Sequence, residues 1–180
     1  MKKYNTHLKV GDQAPIIDAI DQKGLSMGSE VLLELGKLVV IFYRGVWCPH
    51  CSYQVKQVET ELLGLLGKNA QVLLVTPEQP PYLKEMAKNT DFKFPIIADH
   101  DYQIMKDFGV HFEVDDKNYN DFFGKKSMID VIKKRNNENG KLILPIPATF
   151  LINQENTIEY IHFNDNFKKR MSMADIIEKL

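Results

Sequence analysis

The chain has 180 residues, of which 44% are hydrophobic and 26% charged, and its formal net charge is −1. That length fits a single domain with a real core, and the composition is ordinary for a globular protein. A near-neutral balance removes the electrostatic case for nucleic acid or an anionic membrane as partner.

The stretch from Met1 to Val10 has no apolar core of a secretory signal, and no run reaches the length of a membrane span. The compartment expected is the cytoplasm, where a lasting structural disulfide would be unusual. After Gly11 and Pro15, a short strand from Ile16 to Ile20 ends at the Lys23–Gly24 turn, and Ser29 to Leu35 reads as a helical turn closed by Gly36. Lys37 to Tyr43 is a continuous apolar run, the pattern of a strand buried on both faces. A helix follows, with Cys48, Cys51, Val55, Val58, Leu62, Leu65 and Leu66 on one face and Leu63 off it, stopped by Gly67 and Asn69. Gln71 to Thr76 is a second buried strand, so strand–helix–strand implies a right-handed unit with a parallel pair.

Pro80 and Pro81 open a helix that runs to Lys88, Phe94 to Ala98 is a short strand, and Asp99 to Phe108 is a helix ended by Gly109. From His111 to Gly140 the residues are polar, charged and aromatic by turns. They read as an insertion with one or two short helices, a mobile cover near the cysteines rather than core, with Asn136 to Gly140 as an exposed loop tip. Ala148 to Asn153 and Thr157 to Phe163 flank the turn Gln154–Glu155–Asn156 as a hairpin. The basic run Lys168–Lys169–Arg170 reads as a solvated flank, and Ser172 starts a last helix with Asp175 as an imperfect capping box. The pattern is that of an α/β protein: three layers, a central mixed sheet, an insertion before the last hairpin, and one domain over 1–180.

Both cysteines, Cys48 and Cys51, lie two residues apart in Tyr43-Arg44-Gly45-Val46-Trp47-Cys48-Pro49-His50-Cys51. One helical turn puts such residues on the same side. Zinc needs about four ligands, and no second Cys pair or closely spaced His pair exists to supply them, so no metal is expected and a redox couple is the favoured reading. Cys48 at a helix N-terminus gains from unpaired N–H groups that favour a thiolate. Pro49 suits the first helical turn. His50 either adds a donor or charge beside the thiolate or is a solvent-exposed helix residue, and Trp47 either shields the pair or is simply core. Further on, Pro145 and Pro147 precede a strand. An X–Pro bond can be cis at modest cost. A cis Pro147 would offer neighbouring backbone to a partner; alternatively both prolines merely mark where the strand starts.

Trp47-Cys48-Pro49-His50-Cys51 after a buried strand, with Ile146-Pro147 before a later one, resembles the thioredoxin fold. Val10-Gly11-Asp12-Gln13-Ala14-Pro15, Phe42 to Cys51, Phe94 to Asp99, Leu144 to Asn153 and Asn164 to Arg170 together resemble the peroxiredoxin-like branch of the alkyl hydroperoxide reductase/thiol-specific antioxidant superfamily. Two departures stand out. On the family pattern P-x-x-x-T-x-x-C, Arg44 takes the Pro place, Cys48 the Thr place and Cys51 the peroxidatic place. The family's Arg before the Ala-Thr-Phe strand is here Pro147. Arg44 is the first candidate to supply the missing positive charge, and Arg170 a weaker one.

The resemblance implies a thiol oxidoreductase that cycles the Cys48/Cys51 dithiol. It would need no cofactor beyond that pair, and a thioredoxin- or glutaredoxin-type reductant would reset it. The family favours peroxide as substrate; the residues themselves favour disulfide exchange. The helix-terminus argument makes Cys48 the attacking thiol, whereas the family pattern points to Cys51. Tyr43, Arg44, Trp47, Pro49, His50 and Pro147 are the supporting residues. A redox sensor or partner-binding module is the alternative, with the insertion as its contact surface, and a scaffold without turnover is a third reading.

Overall fold

The computed structural model describes residues 6–114, 126–136 and 142–180. Its elements run β1 (Asp18–Ile20), β2 (Ser26–Gly28), α1 (Ser29–Glu34), β3 (Lys37–Phe42), α2 (Pro49–Thr60), α3 (Leu62–Gly67), β4 (Ala70–Thr76) and α4 (Pro80–Asn89). They continue with β5 (Ile96–Ala98), α5 (Gln103–Asp107), β6 (His111–Val114), α6 (Lys126–Asn136), β7 (Leu142–Pro145), β8 (Ala148–Ile152), β9 (Ile158–Phe163) and α7 (Met173–Lys179). Among the described residues, no helix is long and apolar enough to cross a membrane.

Five strands form the central sheet in the order β5-β4-β3-β8-β9. β3 pairs parallel with β4 (Val40 beside Leu73) and antiparallel with β8 (Val40 beside Phe150). The sheet is therefore mixed, and the uninterrupted apolar run of β3 places that strand at its centre. Alternate side chains face opposite layers. Val39, Ile41 and Tyr43 pack with Cys51, Val55 and Val58 of α2, Leu65 of α3, Leu83 of α4 and Ile176 of α7. Leu38, Val40 and Phe42 pack with Leu32 and Leu33 of α1 and Met105 of α5. Phe42, Phe108 and Phe150 fill the centre of that second layer, with ring centroids 5.0 to 5.9 Å apart. The three layers and mixed sheet expected from the pattern are present.

Several details differ from expectation. The helix after the cysteines breaks at Glu61 (φ −97°, ψ 9°), which resets the helical phase. Of the later leucines Leu65 alone is fully buried, while Leu66 is 45% exposed and so leaves the apolar face assigned to it. The helix placed over Asp99 to Phe108 begins only at Gln103. Tyr102 takes a left-handed conformation (φ 65°), and the Asp99 carboxylate accepts the amides of Ile104 (3.0 Å) and Met105 (2.8 Å). Conversely, the capping box of α7 is complete: Ser172 Oγ accepts from Asp175 N at 3.1 Å and Asp175 Oδ2 from Ser172 N at 3.3 Å.

The insertion is the larger correction. Its described parts are built into the molecule rather than laid over it. β6 pairs antiparallel with β7 (Phe112 beside Leu144) and puts every second residue inward, so Phe112 and Val114 join Ile132 of α6 and Leu142, Leu144 and Ile146 in a third core. Asn136, expected at an exposed tip, is fully buried at the end of α6. The aromatics Tyr119, Phe122 and Phe123, and the rest of the proposed tip, lie outside the described residues.

Candidate active site

The site stands at the carboxyl end of β3, where the chain leaves the middle of the sheet through Tyr43 to Trp47 and enters α2. Cys48 is the N-cap of α2, with extended backbone (φ −92°, ψ 115°) and Pro49 in the first turn. Cys51 lies one turn in. Both are free thiols and both are buried, Cys48 at 2% and Cys51 at 0% exposure.

Each sulfur faces its own arginine. Arg44 Nη2 donates to Cys48 Sγ at 3.0 Å, and Arg170 Nη2 to Cys51 Sγ at 3.2 Å. The two thiols are unlike in consequence. The Cys51 thiol hydrogen-bonds to the Cys48 sulfur and, with the charge and donation of Arg44, outweighs burial to hold the Cys48 thiol down at about 4. Burial foremost, then the donation to Cys48, pushes Cys51 well above the ordinary thiol range, against the opposing pull of Arg170. At neutral pH the pair is therefore a Cys48 thiolate beside a Cys51 thiol.

The arginines are held from the side. The Arg44 guanidinium lies over the Phe167 ring at 4.2 Å and beside Trp47 at 5.5 Å, contacts that favour a desolvated cation. Arg170 Nη1 donates to Gln54 of α2, which is buried between α2 and the chain before α7. The turn itself is gripped at three backbone points. Asn136 Nδ2 donates to Arg44 O (3.1 Å), Val46 N to Glu78 Oε2 (2.8 Å), and Ser52 Oγ to Val46 O (2.7 Å). Gly45 sits at φ 140°, and a Cβ there would lie 2.3 Å from Trp47 Nε1, so only glycine fits. Glu78 is fully buried and its carboxyl is raised by that burial, against the pull of the Val46 amide and Arg135, whose Nε donates at 2.7 Å.

Tyr43 is buried under the site and its phenol is raised well above its ordinary range, first by burial. It is a neutral wall of the thiol pocket. Trp47 is half-buried, packs against the core that holds both cysteines, and donates its indole N–H to Asn136 Oδ1 at 3.2 Å. Pro49 and His50 are exposed. His50 packs edge-on to Phe167 (centroids 6.1 Å apart) and makes no hydrogen bond to Cys48, so the cation beside the thiolate is Arg44 rather than His50. Pro147 is buried between β7 and β8, but no peptide bond among the described residues is cis. Ile146 N donates to Val110 O at 2.7 Å, and Ile146 and Pro147 form the two-residue link between the end of β7 at Pro145 and the start of β8 at Ala148. The CxxC and cis-proline pairing considered from the sequence is thus only half present.

Glu78 had a legible signal, since a carboxylate just past a buried parallel strand sits at the sheet end where sites form. Asn136 had none: it lay in a run of asparagines that reads as loop.

A CxxC pair at the start of the helix that follows the central strand of this mixed sheet is the thioredoxin arrangement. The Peroxidoxin BcpB structure of Mycobacterium tuberculosis superposes with a TM-score of 0.69 at 19% identity, covering 96% of this chain and 92% of that one. A model of the AhpC/TSA family matches residues 10–161, and the chain belongs to that family. It is 27% identical to the putative peroxiredoxin bcp of Haemophilus influenzae over 113 residues, which is 57% of this chain and 66% of the relative. The identity to Peroxiredoxin Bcp of Escherichia coli K12 is also 27%, over 103 residues, 57% of this chain and 65% of the relative. The chain spans just under two thirds of the length of these curated relatives.

Proposed function

We propose that this chain is a cytoplasmic, thiol-dependent peroxidase in which Cys48 attacks a peroxide and Cys51 resolves the product. The observation that carries the reading is the Arg44–Cys48 contact at 3.0 Å, which fixes a cation on the sulfur and favours its thiolate. An ordinary thiol, with a pKa of about 8.5, would be only a few percent ionised at neutral pH. Membership of the AhpC/TSA family supports peroxide as substrate. So does the geometry: Cys48, a residue 2% exposed, admits a small molecule more readily than a protein disulfide.

The Cys48 thiolate attacks the terminal peroxide oxygen and the O–O bond breaks. Sulfur is oxidised to a sulfenic acid, and the leaving oxygen takes a proton to depart as alcohol or water. The Cys51 thiol then attacks the Cys48 sulfur, releasing one water and forming the disulfide. Two external thiol equivalents, from a thioredoxin- or glutaredoxin-type reductant, return both cysteines to their reduced form and leave as a disulfide. Arg170, already on the Cys51 sulfur, holds the charge whenever that sulfur becomes a thiolate. No cofactor enters this cycle.

Steady-state consumption of hydrogen peroxide with thioredoxin, its reductase and NADPH tests the reading, run beside insulin-disulfide reduction. Peroxide turnover that a Cys48→Ser change abolishes is expected, with slow insulin reduction. Fast insulin reduction without peroxide turnover would reverse the substrate assignment. Neither activity would favour a redox sensor.

A further inference from the structure

We propose that the last turn of α6, through Arg135 and Asn136, is a positioning device for the turn from Arg44 to Trp47 and thereby sets the reactivity of Cys48. This inference deepens the reading of the thiol site given above. The turn is closed onto the start of α2 by Cys48 N, which donates to Gly45 O at 3.1 Å. The Arg44 carbonyl depends on Asn136 Nδ2 (3.1 Å), while the Trp47 indole depends on Asn136 Oδ1 (3.2 Å). One fully buried amide thus holds the residue that carries the guanidinium and the ring that lies beside it.

Asn136 is itself fixed, because its carbonyl accepts the Tyr102 hydroxyl at 2.6 Å from the start of α5. The neighbouring Arg135 completes the grip by a second route. Its carbonyl accepts Gln79 N at 2.8 Å, and its Nε holds Glu78 Oε1 at 2.7 Å while Oε2 of the same carboxylate accepts Val46 N. The Arg135 guanidinium also lies over Tyr82 of α4 at 4.5 Å. Two consecutive residues therefore reach the turn from both sides, at Arg44 and Trp47 directly and at Val46 through Glu78. Gly45 between them has no room for a Cβ, with Trp47 Nε1 at 2.3 Å and Glu78 Cδ at 3.0 Å from where it would stand.

The guanidinium can act on Cys48 only if the turn holds it at contact distance, since a charge–thiolate bond weakens steeply with misalignment. The groups facing Cys48 are the Arg44 guanidinium and the Cys51 thiol, with Arg170 behind Cys51 and exposed His50 one residue beyond Pro49. Loosening the turn removes Arg44 from that set and leaves the others in place.

The test is the pH dependence of Cys48 alkylation by iodoacetamide in the reduced protein, with Trp47 fluorescence and thermal melting recorded on the same samples. Asn136→Ala should move the alkylation midpoint upward, and a shift from about 4 to about 6 lowers the rate at pH 5 about tenfold. Arg135→Ala should shift it in the same direction by the Glu78 route, which decides the matter if Asn136→Ala does not fold. Lys134→Ala, an exposed change on the same helix, should leave the wild-type midpoint. An unshifted midpoint in both folded variants, beside a wild-type midpoint near 4, overturns the positioning role alone. A wild-type midpoint near 8.5 overturns the reading of the thiol site and this inference with it.

Discussion

At the scale of single residues, the two cysteines differ by their surroundings rather than by their chemistry. Cys48 is at the helix start with Arg44 on its sulfur, and Cys51 is a turn deeper among Val55 and Val58 with Arg170 on its sulfur. A brief iodoacetamide pulse on the reduced protein at pH 5 to 6 should therefore label Cys48 almost alone, as peptide mapping would read. Predominant label on Cys51 would restore the order that the family pattern implies. The sign of the stability effect follows from the lowered Cys48 pKa. The unfolded chain binds the thiol proton up to about pH 8.5 and the folded one releases it near 4. Ionised Cys48 thus contributes stability to the reduced protein that is full above the unfolded value, shrinks as pH falls, and is gone below about 4. Denaturant titrations of wild type and Cys48→Ser should converge as pH drops from 8 to 4; a constant gap would mean that Cys48 is not ionised across that window. A stabilised reduced form also raises the reduction potential, so equilibration with glutathione should place the pair above the value of about −270 mV typical of thioredoxin.

At the scale of elements, β3 and α2 carry the cysteines, but the turn between them is shaped by parts far away in the chain. Glu78 after β4 and Arg135 in α6 form a largely buried ion pair whose carboxylate also takes the Val46 amide. Replacing Glu78 by Ala leaves Arg135 and that amide unpaired, and a loss of about 3 kcal/mol is expected in urea unfolding. The fully formed capping box of α7 has a smaller worth, about 1 kcal/mol for Ser172→Ala.

This contrast also explains what was legible beforehand. β3, β4 and the β8–β9 hairpin were readable because continuous apolar runs and a turn at Asn156 are local signals. The CxxC was readable because its spacing alone makes a pair. Asn136 and the burial of Phe112 were not, because Asn136 is held by Arg44, Trp47 and Tyr102 and Phe112 by the pairing of β6 with β7, all of them contacts over thirty or more residues that no local pattern announces. His50 misled for the same reason. Adjacency in sequence put an imidazole beside the thiolate, whereas α2 turns it outward to Phe167 and the guanidinium of Arg44 comes from the preceding turn.

At the scale of the whole molecule, two of the three cores meet at one turn: Trp47 packs against both the α2 face of the central sheet and the smaller β6–β7–α6 cluster. The site thus sits where the insertion joins the sheet, and the fold sets its electrostatics by holding two cations against two sulfurs in a place that water scarcely reaches. Hydrogen exchange should find the amides of β3 slowest. Ile132 and Asn136 should be protected as well, against the mobile cover expected from composition; fast exchange at Asn136 would separate α6 from the site.

The most direct test of the account is a single turnover of peroxide with each cysteine alone. Reduced Cys51→Ser should consume one equivalent of hydrogen peroxide and carry a trappable sulfenic acid on Cys48, while reduced Cys48→Ser should be inert on the same timescale. Rapid peroxide consumption by Cys48→Ser, with sulfenic acid on Cys51, would contradict it.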